Sequence, residues 1–170
     1  KKLTEVAPFT VDLLLPSGAE NLNYVLYTDE SPYKMQREWL DRLPFDIYSV
    51  NVHTGAKRLI GRSYRTAPKW SVNGKWAVMY DPIAQVWNKF DGATGKVVNI
   101  SDAIGYPMFM ESYDKPAPAP AYGIAGWTAD GNNVFLYDAY DWWKIDLTGE
   151  RQPECLTKGY GRKHGKSIRK

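Results

Sequence analysis

A tryptophan-led motif occurs twice in this chain, 57 positions apart, and it limits the fold more than any other feature. Trp70-Ser71-Val72-Asn73-Gly74 returns as Trp127-Thr128-Ala129-Asp130-Gly131. Tyr80-Asp81 returns at the same spacing as Tyr137-Asp138, and a weaker copy, Tyr27-Thr28-Asp29, precedes it by 53 positions. A further series aligns Asp46 to Gly55, Gln85 to Gly95 and Asp141 to Gly149. Asn-Gly and Asp-Gly turns tolerate the positive φ that tight strand reversals need.

Between these turns the chain reads as short strands. Phe9 to Leu15, Asn23 to Thr28, Asp46 to Val52 and Lys57 to Ile60 form a first set, with a turn at Pro16-Ser17-Gly18. Ser31 to Pro44 breaks the pattern and reads as a long loop with a helical turn. Pro68 to Ser71, Trp76 to Tyr80, Val86 to Phe90 and Lys96 to Ile100 form a second set. A strand ending at Trp127, then Val134 to Asp138, Trp142 to Asp146 and Pro153 to Thr157 form a third. Four-stranded units repeated every ~40–50 residues are the mark of a β-propeller. The expected fold is all-β, a partial β-propeller of about three four-stranded antiparallel blades. The blades fall near residues 9–62, 66–101 and 121–158, within one unit spanning 1–170. A long loop covers 102–120, where Lys115-Pro116-Ala117-Pro118-Ala119-Pro120 cannot form a central strand, and a basic tail covers 159–170. Propellers close with about 4–8 blades, so three predict either part of a larger ring or self-association through exposed blade faces.

Composition fits a folded chain with 44% hydrophobic residues. Its 7 Trp and 12 Tyr suit packing between sheets. A net charge of +3, without a basic groove or interleaved aromatics, predicts no nucleic-acid partner. The basic tail reads as a frayed connection to a further blade. No run approaches the ~18 apolar residues of a membrane helix, so no membrane partner is expected. Lys1-Lys2 is followed by Leu3-Thr4-Glu5 and not by an apolar run, so no signal peptide is expected at this point of the chain. The single cysteine, Cys155, allows no intrachain disulfide.

The candidate sites divide by chemistry. His53 lies in a His-Thr-Gly turn, and a triad there would need a serine and a carboxylate in fixed geometry, so turn chemistry is the expectation. Asp138, Asp141 and Asp146 could offer oxygen ligands to calcium but lack a calcium-loop glycine; they read as turn-capping carboxylates, and neither a metal nor a cofactor is expected. Trp142-Trp143 could form a sugar or peptide platform. Adjacent strand residues face opposite ways, so one should pack between blades and the other elsewhere. The long loop is the stronger candidate. Tyr106, Met108, Phe109, Met110 and Tyr113 lie in a Met- and aromatic-rich stretch of the kind that adapts to partners. These five and Trp143 are the expected substrate- or domain-contact residues.

One further pattern is more specific. Tyr122-Gly-Ile-Ala-Gly-Trp127, then Tyr137-Asp138-x-Tyr140-Asp141-x-Trp143-Lys144-Ile145-Asp146, then Leu156-Thr157-x-Gly159-Tyr160-Gly161-Arg162 resembles the propeller of large secreted bacterial peptidases. These belong to the prolyl-oligopeptidase family of serine peptidases, in a branch common in Bacteroidetes-type organisms. The resemblance is strongest from Pro68 to Arg162. It implies a propeller segment that gates or orients peptide substrates for a catalytic α/β-hydrolase domain elsewhere in a periplasmic or secreted parent. No catalytic residue carries over: Gly-x-Ser-x-Gly does not occur, and His53 and His164 are the two histidines. Two other functions fit the same sequence, a stand-alone propeller-type interaction scaffold and a glycan-binding module.

Overall fold

A computed structural model describes residues 10–16, 22–40 and 42–169. Phe9, the Ser17-Gly18 half of the first turn and Lys170 lie outside the described residues.

Three strand meanders follow one another along the chain. The first blade comprises β1 (Thr10–Leu14), β2 (Tyr24–Asp29), β3 (Phe45–Asn51) and β4 (Lys57–Tyr64). The second comprises β5 (Lys69–Trp70), β6 (Trp76–Asp81), β7 (Val86–Asp91) and β8 (Val97–Asn99). The third comprises β9 (Ile124–Trp127), β10 (Asn133–Tyr137), β11 (Trp142–Asp146) and β12 (Glu154–Cys155). Every pairing is antiparallel and every sheet keeps chain order. The fold is all-β, three four-stranded blades of a propeller without ring closure.

The repeated motifs have a common physical basis. In the second blade the Ser71 hydroxyl donates to Asn73 Oδ1 at 2.6 Å and accepts the Trp76 N–H, while Gly74 N–H returns to the Ser71 carbonyl. In the third, the Thr128 hydroxyl donates to Asp130 Oδ1 at 2.5 Å and accepts the Asn133 N–H, and Gly131 N–H returns to Thr128. Gly74 and Gly131 have φ of 66° and 69°, which suits glycine. The motif is a hydrogen-bonded turn that places both strands. It also joins blades: Asn73 Nδ2 donates to the Asp130 carbonyl at 2.7 Å. A Cβ on Gly131 would lie 2.6 Å from Asn73 Cγ, so contact between the two copies requires the glycine.

Strand alternation distributes the core. Ala77 and Met79 of β6 face the first blade, where Leu26, Phe45, Ile47, Tyr64 and Phe90 close one core. Val78 and Tyr80 face the third, where Trp87, Val134, Leu136, Trp143 and Ile145 close the other. The second blade is thus buried on both faces. Each Leu or Phe so buried contributes roughly 1.5–3 kcal/mol of transfer free energy. Tyr64 reaches Asp81 and Asn88 across the first interface, where burial, then the Asp81 charge, pushes its hydroxyl pKa far up.

The helical turn expected within 31–44 is present, and two other stretches, β4 and the tail, differ from the sequence reading. Ser31–Gln36 forms a 3-10 helix begun by Pro32, and the Tyr33 hydroxyl donates to the buried Asp46 carboxylate at 2.6 Å. β4 continues past Ile60 to Tyr64 because irregular pairing on both sides of Ile47, with Ser63 at φ 56° opposite the Phe45–Ile47 step, absorbs extra residues. The tail is not frayed. Tyr160–His164 forms a short helix, α1, and the residues after it bond back to the third blade.

Candidate functional site

Strand direction sorts the loops into two rims. The reversals β3–β4, β5–β6, β7–β8, β9–β10 and β11–β12 share one rim, built from Asx-type turns at Asn51, Asn73, Asp91, Asp130 and Asp146. The opposite rim carries the 3-10 helix between β2 and β3, the long connection after β8 and the segment after β12. Long insertions gathered on one edge of a rigid scaffold are where binding function concentrates. The candidate site is this long-loop rim, at the third blade.

Its foundation is the β10–β11 reversal. Asp138, fully buried, accepts the Tyr140 and Asp141 N–H groups at 2.6 Å each and Trp143 Nε1–H and Arg162 Nη2–H at 2.9 Å each. Burial pushes its carboxyl pKa up, but these donors outweigh it and hold the group below its ordinary value. Asp141, equally buried, accepts the Thr157 hydroxyl at 2.5 Å and the N–H groups of Gly161 and Arg162. The two carboxylates fasten the start of α1 to the blade.

Gly161 allows that approach. A Cβ there would meet the carbonyl oxygens of Tyr140 at 2.5 Å and Lys166 at 2.7 Å. Beyond the helix, Ile168 N–H donates to Tyr140, Trp142 Nε1–H donates to Ile168, and the Ser167 hydroxyl donates to Ala139. Arg169 donates to the Asp138 carbonyl and lies 4.7 Å from the Tyr137 ring centroid. The tail therefore lies against the face of the third blade opposite its core.

Arg162 extends this assembly to the long loop. Its guanidinium sits 3.9 Å from the Tyr106 ring centroid, and Tyr106 stands 6.0 Å from Trp143. The loop itself is a narrow excursion. Phe109 bridges Ala121, Met110 N–H donates to Pro120 and Tyr122 N–H to Met108. The Tyr80 hydroxyl supports the returning limb through Ala119; burial, then the Asp81 charge, pushes its pKa up to about 12.

The six sequence-predicted residues therefore occupy different places. Met108 is buried in the core between the second and third blades, and Trp143 lies there too, 9% exposed. Phe109 packs on that core from its edge. Tyr106 is 46% exposed and Met110 37%. Tyr113 is half-buried at the loop tip, its N–H bonded to Met110. A shallow pocket of about 240 Å³ opens beside Val86, Tyr106 and Pro107. The double tryptophan divides as alternation requires: Trp142 turns away from the core and meets Tyr137 edge-on at 5.3 Å.

The other sharp hypotheses separate in space. Asp146 sits on the short-turn rim, bonded to Thr148, Glu150 and Arg151, away from Asp138 and Asp141. Among the described residues no group of three metal-ligating side chains forms. His53 contacts Asn23 at 3.0 Å, and His164 stacks on Tyr160. No helix among the described residues is long and apolar enough to cross a membrane. The residues missed by sequence reasoning are Asp141, Thr157, Gly161 and Arg162 as partners. The signal was the place of Thr157, Gly161 and Arg162 in the Leu-Thr-x-Gly-Tyr-Gly-Arg pattern and of Asp141 in the Tyr-Asp-x-Tyr-Asp pattern.

No family model matches this sequence, and no curated protein does. Solved structures do. TolB from Acinetobacter baumannii is 15% identical, with 85% of this chain and 32% of TolB covered at a TM-score of 0.43. The β-propeller domain of the trilobed protease from Pyrococcus furiosus, described as having an open velcro topology, is 15% identical. There 84% of this chain and 42% of that one are covered, at a TM-score of 0.41. The Pyrococcus horikoshii acylaminoacyl peptidase is 14% identical, with 87% and 24% covered and a TM-score of 0.45. This chain spans less than half the length of each.

Proposed function

We propose that this chain is the non-catalytic propeller portion of a larger serine peptidase of the prolyl-oligopeptidase type, secreted or periplasmic. Its long-loop rim orients peptide substrates for a separate α/β-hydrolase domain. One observation carries the reading. The residues of the peptidase-like pattern, from Asp138 to Arg162, converge in a single buried assembly that holds Tyr106 of the long loop. The pattern that carries the resemblance therefore builds the rim where a substrate or a catalytic domain would be met. The exposed Tyr106 and Met110 supply apolar contact area there.

The reading frame beyond Lys170 provides the test. A Gly-x-Ser-x-Gly segment followed by an aspartate and a histidine is expected. A stop codon directly after Lys170 would overturn the peptidase reading and favour a stand-alone scaffold. In the full-length parent, Met110→Ala should raise KM for long peptides more than for short chromogenic ones.

A further inference from the structure

Arg162 is held at the long-loop rim with most of its donors unused. A guanidinium presents its N–H groups as two overlapping forks, one from Nε and Nη2 and one from Nη1 and Nη2. The Asp138 carboxylate accepts one Nη2–H at 2.9 Å, and among the described residues the Arg162 side chain makes no other hydrogen bond. Nη2 gives one hydrogen to each fork, so whichever of them Asp138 accepts, the other fork stays complete. Among the described residues, Trp87 Nε1 is the one buried side-chain polar atom without a partner. Nε and Nη1 of Arg162, which have no partner either, therefore reach solvent.

The surroundings favour an anion at that fork. The guanidinium lies 3.9 Å from the Tyr106 ring centroid and 5.2 Å from that of Tyr140. Rings this close keep water from part of the group, which strengthens a bond made at its free edge. From Lys158 to Arg169 the chain carries Lys158, Arg162, Lys163, Lys166 and Arg169 and no Asp or Glu. The carboxylates of the assembly, Asp138 and Asp141, are buried and already bonded to fixed donors. An anion arriving at the rim therefore meets positive charge. The exposed Tyr106 ring offers apolar surface beside it.

We propose that the free fork of Arg162 is a carboxylate-recognition site for peptides, taking a C-terminal carboxylate or an Asp or Glu side chain. A planar carboxylate fills a two-donor fork with parallel charge-assisted bonds, which a neutral carbonyl cannot do. Asp138 holds the guanidinium from behind, and Tyr106 packs against the peptide next to the carboxylate. The proposal rests on the reading of this rim as a peptide contact and names the chemical group that the rim selects.

Fluorescence anisotropy with the full-length gene product tests it, after treatment with diisopropyl fluorophosphate so that no bound peptide is cleaved. Short alanine–phenylalanine peptides carry an uncharged label at the N-terminus. One has a free C-terminal carboxylate, one is amidated, and one is amidated with an internal glutamate. An acidic peptide should bind about tenfold tighter than the neutral amide, and which of the two does so identifies the source of the carboxylate. Arg162→Lys keeps the charge but loses the fork, and should remove most of that preference while the neutral amide binds as before. Tyr106→Leu, at an exposed ring outside the buried assembly, should weaken the acidic peptide several-fold and checks the site independently of any Arg162 variant. Lys163→Gln removes an exposed neighbouring charge and should leave the preference within about twofold. Equal binding of all three peptides would overturn the carboxylate site and leave the peptide-contact reading standing. Absence of saturation by all three at millimolar protein would overturn both. A preference undiminished in Arg162→Lys or Tyr106→Leu, or abolished by Lys163→Gln, would overturn the assignment to the Arg162 fork.

Discussion

Arg162 Nη2 lies 2.9 Å from the Asp138 carboxylate, and the two residues are unequally exposed: Asp138 is fully buried, whereas the Arg162 side chain keeps 30% of its surface. The carboxylate also holds three other donors, so the two partners should differ in cost when removed. Asp138→Asn loses a charged acceptor from fixed backbone donors and should cost about 3 kcal/mol. Arg162→Met leaves three donors in place and should cost only about 1.5 kcal/mol. Urea denaturation of both variants checks this order, and equal losses would contradict it.

Acid should unfasten the same assembly. The Asp138 carboxyl is depressed in the folded state, so its contribution to stability is complete above its ordinary value of 3.8. It is lost as pH falls through the lower folded value. Stability measured from pH 6 downward should therefore drop below about pH 4, and the drop should be smaller in Asp138→Asn. A parallel pH profile for the variant would assign the acid sensitivity elsewhere.

Gly161→Ala places a methyl group against two backbone carbonyls that cannot rotate aside. The expected cost is roughly 1–3 kcal/mol, concentrated in the tail. Limited trypsin digestion should cut at Lys166 faster in the variant while the blades stay intact. Unchanged cleavage would mean that α1 shifts freely.

Met108 and Met110 are two residues apart and should behave oppositely. Met108→Ala empties a core position and should cost about 2–5 kcal/mol. Met110→Ala, at the exposed rim, should stay within about 0.5 kcal/mol of the parent. Thermal unfolding of the pair measures the difference directly.

The turns were legible in the sequence because their chemistry is local. Ser71, Asn73 and Gly74 bond one another within a few positions, and Thr128, Asp130 and Gly131 repeat the pattern. Strand alternation likewise assigned opposite faces to Trp142 and Trp143. The pairing of Asp141 with Thr157 and Gly161 was not legible, since it joins residues 16 and 20 positions apart through a reversal with no periodic signal. From sequence, the tail reads as a frayed connection to a further blade. Its order comes from Ser167, Ile168 and Arg169 reaching Ala139, Tyr140 and Asp138, which composition does not reveal. Met108 and Met110 look alike in a Met-rich loop, and composition does not reveal that Met108 packs into the core between the second and third blades while Met110 stays exposed.

Adjacent residues of β6 answer to different neighbours, and this acts as a proofreading device. A slip of one residue would send Tyr80 towards the space shaped around Met79, and Met79 towards that shaped around Val78. Both mismatches would arise together, one on each side of the same strand. A blade with a solvent face can misalign and lose a single interface; this one would forfeit two at once, so the middle of the wedge checks the alignment of its flanks.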